Sequence, residues 1–129
     1  MIFADLLPNL TLLFPGQSMN NLANTYGALG RHQDALALLE KALDFFRRVL
    51  PQNHPHIAQS CYNVSFNLVR RGDLHRAVER AREAVRIWQA TLPPSHKDVR
   101  DAQELVRDIE RILAPVSYTH LTLPTKRIV

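Results

Sequence analysis

The sequence predicts an all-α protein of antiparallel helical hairpins stacked side by side into an α-solenoid. Three observations carry that expectation. Aromatic residues make up only 7% of the 129 residues while alanine and leucine abound, a balance that favours helix. Apolar residues recur at i, i+3, i+4 and i+7 in several segments, which is one face of a helix. The stretch GRHQDALALLEKAL at residues 30–43 is echoed 42 residues later by GDLHRAVERAREAV, and a fixed period of that length marks a repeat architecture.

Residues 1–15 align with no preceding second helix and are read as an irregular or frayed N-terminal segment. They lack a basic start, and Asp5 and Pro8 interrupt their apolar run, so they do not read as a secretory leader. No stretch reaches the roughly 18–20 apolar residues that span a bilayer. A single cysteine, Cys61, excludes an internal disulfide framework and fits a reducing, cytoplasmic setting.

The first repeat covers 16–55. Met19, Leu22, Ala23, Tyr26 and Leu29 line its first helix, and Gly30 ends that helix by supplying positive φ. The second helix runs from about His32 to Leu50, with Ala35, Leu38, Leu39, Ala42, Leu43 and Phe46 on its stripe. Pro51 stops it, and PQNHP turns the chain.

The second repeat covers 56–95. Cys61, Val64, Ser65 and Leu68 line its first helix and Gly72 turns. Leu74, Ala77, Val78, Ala81, Ala84, Val85 and Trp88 line its second, and LPPSH closes it. A third segment, 96–114, reads as the first helix of a truncated repeat or a cap, from about Lys97 to Leu113, with Val99, Ala102, Val106, Ile109 and Leu113 inward.

Sliding residues 18–57 onto 60–99 gives identity at Ser18/Ser60, Asn21/Asn63, Gly30/Gly72, Ala35/Ala77, Ala42/Ala84, Leu50/Leu92, Pro51/Pro93 and His54/His96. The charged positions drift. Antiparallel helices approach to about 8 Å only where side chains are small. The pairs Ala23/Ser65, Ala35/Ala77 and Ala42/Ala84 are therefore expected at the crossings.

Catalytic chemistry finds no support in the residues. Cys61 lies on an apolar stripe and reads as a packed thiol. The histidines of HPH (54–56) and SHKD (95–98) sit in turns, without an acidic cluster, and recur with the repeat, so turn stabilisation explains them better than metal binding. No glycine-rich phosphate loop exists among the four glycines. The chain is read as no enzyme, with no metal and no cofactor. Asn63-Val-Ser and Asn9-Leu-Thr match the glycosylation sequon, which has no role in a cytoplasmic protein.

Arg76, Arg80, Arg82 and Arg86 crowd one helix, after Arg70 and Arg71. RNA binding is a remote alternative, because Glu79 and Glu83 precede Arg82 and Arg86 by three residues and are expected to pair with them along the helix. No aromatic is interleaved for base stacking, so no nucleic-acid partner is expected.

The hairpin arrangement resembles the tetratricopeptide repeat. Leu22, Ala23, Tyr26, Ala35, Leu39 and Ala42 match the family pattern in the first unit. Val64, Ser65, Leu68, Ala77, Ala81 and Ala84 follow it in the second. The period of 42 departs from the usual value of about 34. It is similar to the long-helix subclass of kinesin light chains and nephrocystin-like proteins, whose spacing is echoed by NNLANTYGALGRHQDALALLEKAL and NHP. Arg107 departs from the pattern where a small residue is expected.

That resemblance implies a right-handed superhelix and a protein-interaction scaffold that holds a peptide in the concave groove of the first helices. Matched residue by residue, it places Gln17, Asn20, Asn21, Asn24 and Ala28 there in the first unit. The second unit supplies Gln59, Tyr62, Asn63, Phe66 and Arg70. An amide offers a donor and an acceptor to an extended peptide without desolvating a full charge. Arg70 adds an anion contact and Tyr62 a flat apolar one. The alternative is a regulatory or recruitment array of a larger multidomain enzyme or nucleotide-binding signalling protein.

The tail changes character after Ala114. Its core VSYTHLTLPT (116–125) resembles the in-frame translation of the transposase adapter used in sequencing libraries, so residues 115–129 are set apart and the native protein is expected to be longer. Without Lys126 and Arg127 the formal net charge of +4 falls to +2. A third repeat left without its second helix leaves an apolar stripe uncovered, and self-association of the chain is expected.

Overall fold

The structure, a computed structural model, describes residue 16 and residues 18–115. The expectations for residues 1–15, for Gln17 and for the tail from residue 116 lie outside these residues. Helix α1 covers 18–28. It is followed by α2 (His32–Val49), α3 (Pro55–Arg71), α4 (Leu74–Thr91) and α5 (Lys97–Leu113). There is no strand among the described residues. Helices α2 and α3, α3 and α4, and α4 and α5 pack against each other in turn.

The two hairpin turns are built alike. Gly30 and Gly72 hold φ of 80° and 81°, in the left-handed region that a Cβ disfavours. At these turns the N–H of Arg31 donates to the Tyr26 carbonyl at 2.8 Å, and that of Asp73 to the Leu68 carbonyl at 2.9 Å. These are the long-range bonds of a Schellman end. Both donors and both acceptors are separated by the repeat period.

The connections between hairpins also repeat. Leu50 and Leu92 end α2 and α4 in extended conformation, and the following prolines cannot extend a helix. His54 and His96 then act as N-caps. Each accepts through Nδ1 from the backbone N–H two residues on, at 3.0 Å. This satisfies one of the donors a helix start leaves unpaired. Pro55 at the first position of α3 costs nothing there, because its missing N–H would be unpaired anyway.

The core runs through the stack. Phe46, Leu39, Ile57, Leu68, Ile87 and Ile109 are among its largest fully buried side chains, each worth roughly 1.5–3 kcal/mol in removed apolar surface. Ala35, Ala42, Ala77 and Ala84 are wholly inaccessible, as expected for close crossings. Ser65 occupies the position of Ala23, and its hydroxyl donates to the Ala77 carbonyl at 2.7 Å. A polar side chain is tolerated at that crossing because its donor is satisfied.

Two expectations on the first helix need correction. Leu22 is 44% exposed although its repeat partner Val64 is 1% exposed. Val64 stands beside Leu43 and Arg47 of α2 and Arg76 and Arg80 of α4. Among the described residues, α1 has no helix pair upstream to cover Leu22 in the same way. Leu29 is 68% exposed, because it lies in the turn beyond the end of α1.

Arg82 and Arg86 of α4 do not take their expected partners Glu79 and Glu83. Glu83 holds Arg47 of α2 in a two-point contact and accepts from Arg80 at 2.9 Å. Arg76 reaches Glu40 at 2.6 Å, Arg82 reaches Glu110 of α5 at 2.6 Å, and Arg86 donates to Asn53 at 3.0 Å. The charge is absorbed partly along the helix, by Arg80 with Glu83 and Arg76 with Asp73 at 3.5 Å, and partly across the stack, where neighbouring helices bring Glu40 and Glu110 within reach.

Candidate functional site

Helices α1 and α3 leave a groove of about 320 Å³ between them, lined by Ala23, Asn24, Gly27, Ala28, Asn63, Phe66, Asn67 and Arg70. On its α1 side it is lined by the small residues Ala23, Gly27 and Ala28 together with Asn24. A Cβ built on Gly27 would lie 3.6 Å from Nη1 of Arg70, in ordinary van der Waals contact, so the guanidinium lies close against this helix. The Arg70 guanidinium also stands 5.6 Å from the centre of the Phe66 ring, within reach of a cation–π contact.

The amides are polarised by their own helix. Asn63 accepts through Oδ1 from Gln59 Nε2 at 3.0 Å. Asn67 donates through Nδ2 to the Asn63 backbone carbonyl at 3.2 Å, and its Oδ1 is buried without a hydrogen-bond partner among the described residues. The groove therefore offers Asn63 as a donor and Arg70 as a cation, while the Asn67 acceptor lies beneath its surface. Residues 18–28 of α1 carry no charge. An amide donor beside a guanidinium suits a peptide carbonyl or carboxylate.

A second groove of about 230 Å³ lies between α3 and α5, lined by Tyr62, Phe66, Asp101, Glu104, Leu105 and Asp108. Phe66, 44% exposed, is the wall common to both. Tyr62 rests against Phe66 and Trp88, with ring centres 5.9 and 5.8 Å away. Burial, then the charge of Asp101, pushes the Tyr62 phenol above its ordinary range.

The residues expected at the site divide. Asn24, Ala28, Asn63, Phe66 and Arg70 line the first groove, and Tyr62 the second. Asn21 is exposed but lines neither groove as described. By repeat register, Asn63 looks toward the preceding first helix, and α1 has no such neighbour among the described residues. Asn20 requires correction. It is only 8% exposed and its Oδ1 is buried without a partner, so it packs inside instead of offering itself to a peptide.

Sequence reasoning missed Asn67 and the α5 carboxylates. Asp101, Glu104, Leu105 and Asp108 stand one period beyond Gln59, Tyr62, Asn63 and Phe66, so the repeat register itself carried the signal.

The remaining candidates for chemistry are structural. Cys61 is buried in the stack, and burial, then the charge of Glu83, pushes its thiol up to about 12, which leaves it a poor nucleophile. No group of three or more His, Cys, Asp or Glu residues could hold a metal among the described residues. No described helix is long and apolar enough to cross a membrane.

A family model for the tetratricopeptide repeat matches residues 16–90. No curated protein matches the chain. Two solved structures of Podosopora anserina "kinesin light chain nearly identical TPR-like repeats", one of them a single-site variant, are similar to it. Each has a TM-score of 0.68 at 25% identity, with 76% of this chain and 47% of the other covered. The chain thus spans about half the length of those structures.

Proposed function

Because the chain belongs to the tetratricopeptide-repeat family, whose members generally serve as protein-interaction scaffolds, we propose that it grips a peptide segment of a protein partner in its concave groove. The observation that carries this reading is the α1–α3 groove, where Asn63, Asn67 and Arg70 converge beside the exposed ring of Phe66. Asn63 donates to a peptide carbonyl or carboxylate, and Arg70 pairs with an acidic group. The scaffold acts in the cytoplasm, without catalysis of its own.

The test is a pull-down with the immobilised chain and its Asn63→Asp and Arg70→Glu variants, all checked for equal helicity. A protein captured by the native chain and lost from both variants supports the reading. One retained equally by all three refutes it.

In the same reading the chain self-associates through α5, where Ile112 is 63% exposed and, on the other flank, Val106 lines an open groove with Val85 of α4. Sedimentation that stays monomeric at every concentration would remove this part.

A further inference from the structure

The two grooves on the concave face carry opposite signs. The α1–α3 groove holds Arg70 and no carboxylate, whereas the α3–α5 groove holds Asp101, Glu104 and Asp108 and no cation. The acidic groove has an apolar lining as well, from Tyr62, Phe66 and Leu105. Two of its carboxylates have partners on their own helix. Lys97 meets Asp101 at 2.8 Å and Arg111 meets Asp108 at 3.4 Å. Glu104 forms no ion pair among the described residues and is exposed.

The geometry points to a second docking station. The α3–α5 groove takes a lysine or arginine side chain of the same bound peptide, its aliphatic stem on Tyr62, Phe66 and Leu105 and its charged head at Glu104. This inference rests on the peptide-binding reading of the first groove and adds the partner's chemistry. The peptide is bipolar, with an acidic or carboxylate group at Arg70 and a basic one at Glu104, and an apolar residue at the shared Phe66 wall. A long basic side chain suits this groove because its stem buries apolar surface while its head stays near water and carboxylate. Opposite charges at the two stations also set the direction of the peptide and reject segments of a single sign.

Fluorescence anisotropy at low ionic strength tests this with labelled synthetic peptides of equal length, in both chain directions. One carries glutamates, a central tryptophan and lysines. A second replaces the lysines with glutamine, and a third replaces the glutamates.

The bipolar peptide is expected to bind roughly 1.5-fold to fivefold more tightly than the glutamate-only peptide, the range for exposed charge pairs. The Glu104→Gln variant should abolish that advantage without weakening the glutamate-only peptide, and Asn63→Asp should weaken both. If the glutamate-only peptide binds but the lysines add nothing, or their advantage survives Glu104→Gln, the second station is refuted and the first groove stands. If no peptide binds, both readings fall.

Discussion

Arg47 of α2 and Glu83 of α4 clasp each other across the stack through the two terminal guanidinium nitrogens and both carboxylate oxygens, and Arg80 shares the same carboxylate. The side chain of Glu83 is only 16% exposed. Removing one member of so enclosed a pair leaves the others unmatched. Glu83→Gln is therefore expected to cost about 1–2 kcal/mol at neutral pH, read from urea denaturation.

The same pair predicts a pH dependence. Hydrogen bonding from Arg47, reinforced by its charge and that of Arg80, holds the Glu83 carboxyl below its ordinary value of 4.5. A depressed folded-state value gives stability that is present above the unfolded value and lost as pH falls through the folded one. His56 acts in the same direction at higher pH. Burial, then the charge of His54, lowers it from 6.5, so its contribution wanes as acidification passes below that value. Stability measured against pH should fall in two stages, and Glu83→Gln should flatten the lower one.

Cys61 should be silent in the folded protein. With its thiol pushed up to about 12, almost no thiolate exists at about pH 8, and burial blocks access. A thiol-reactive chromogenic disulfide should label it only after denaturant is added. Rapid stoichiometric labelling of the native chain would contradict the packing described.

Two glycines should respond in opposite senses. Gly72→Ala forces a Cβ into φ of 81° and should destabilise by about 1–2 kcal/mol. Gly27 sits within a helix, and its added Cβ would meet only ordinary contact with Arg70. Gly27→Ala should therefore stabilise by up to about 1 kcal/mol. Paired thermal melts decide both.

At the α3–α4 crossing, Ala77→Leu should overpack a position with no accessible surface and cost about 1–3 kcal/mol. Ser65→Ala, which deletes only the bond to the Ala77 carbonyl, should cost about 0.5–1.5 kcal/mol. Chemical denaturation of the two variants tests that ranking.

Residues whose meaning lies in the backbone were the most legible in the sequence. Gly72 announces a left-handed turn, Pro51 a helix stop and Ala77 a crossing whatever surrounds them, and repetition at one period doubled each signal. The partnering of long side chains was not legible. Glu83 could reach Arg86 on its own helix, but the stacking of α2 on α4 decides for Arg47, and helical periodicity contains no stacking angle. Asn20 and Leu22 show the same limit. A stripe tells which side of a helix is apolar, not which flank another helix covers. Of the candidate site, the α3 residues were readable from the repeat, whereas Asn67 and the α5 carboxylates required the two grooves to be seen together.

The ion pairs that cross between helices join α2 to α4 and α4 to α5. Among the described residues none joins α1 to α3 or α3 to α5. The array is thus fastened along its back and held only by van der Waals contact along its front. Hydrogen exchange is therefore expected to be slower where α4 is clasped to its neighbours than along α1, whose spacing from α3 no charged pair fixes.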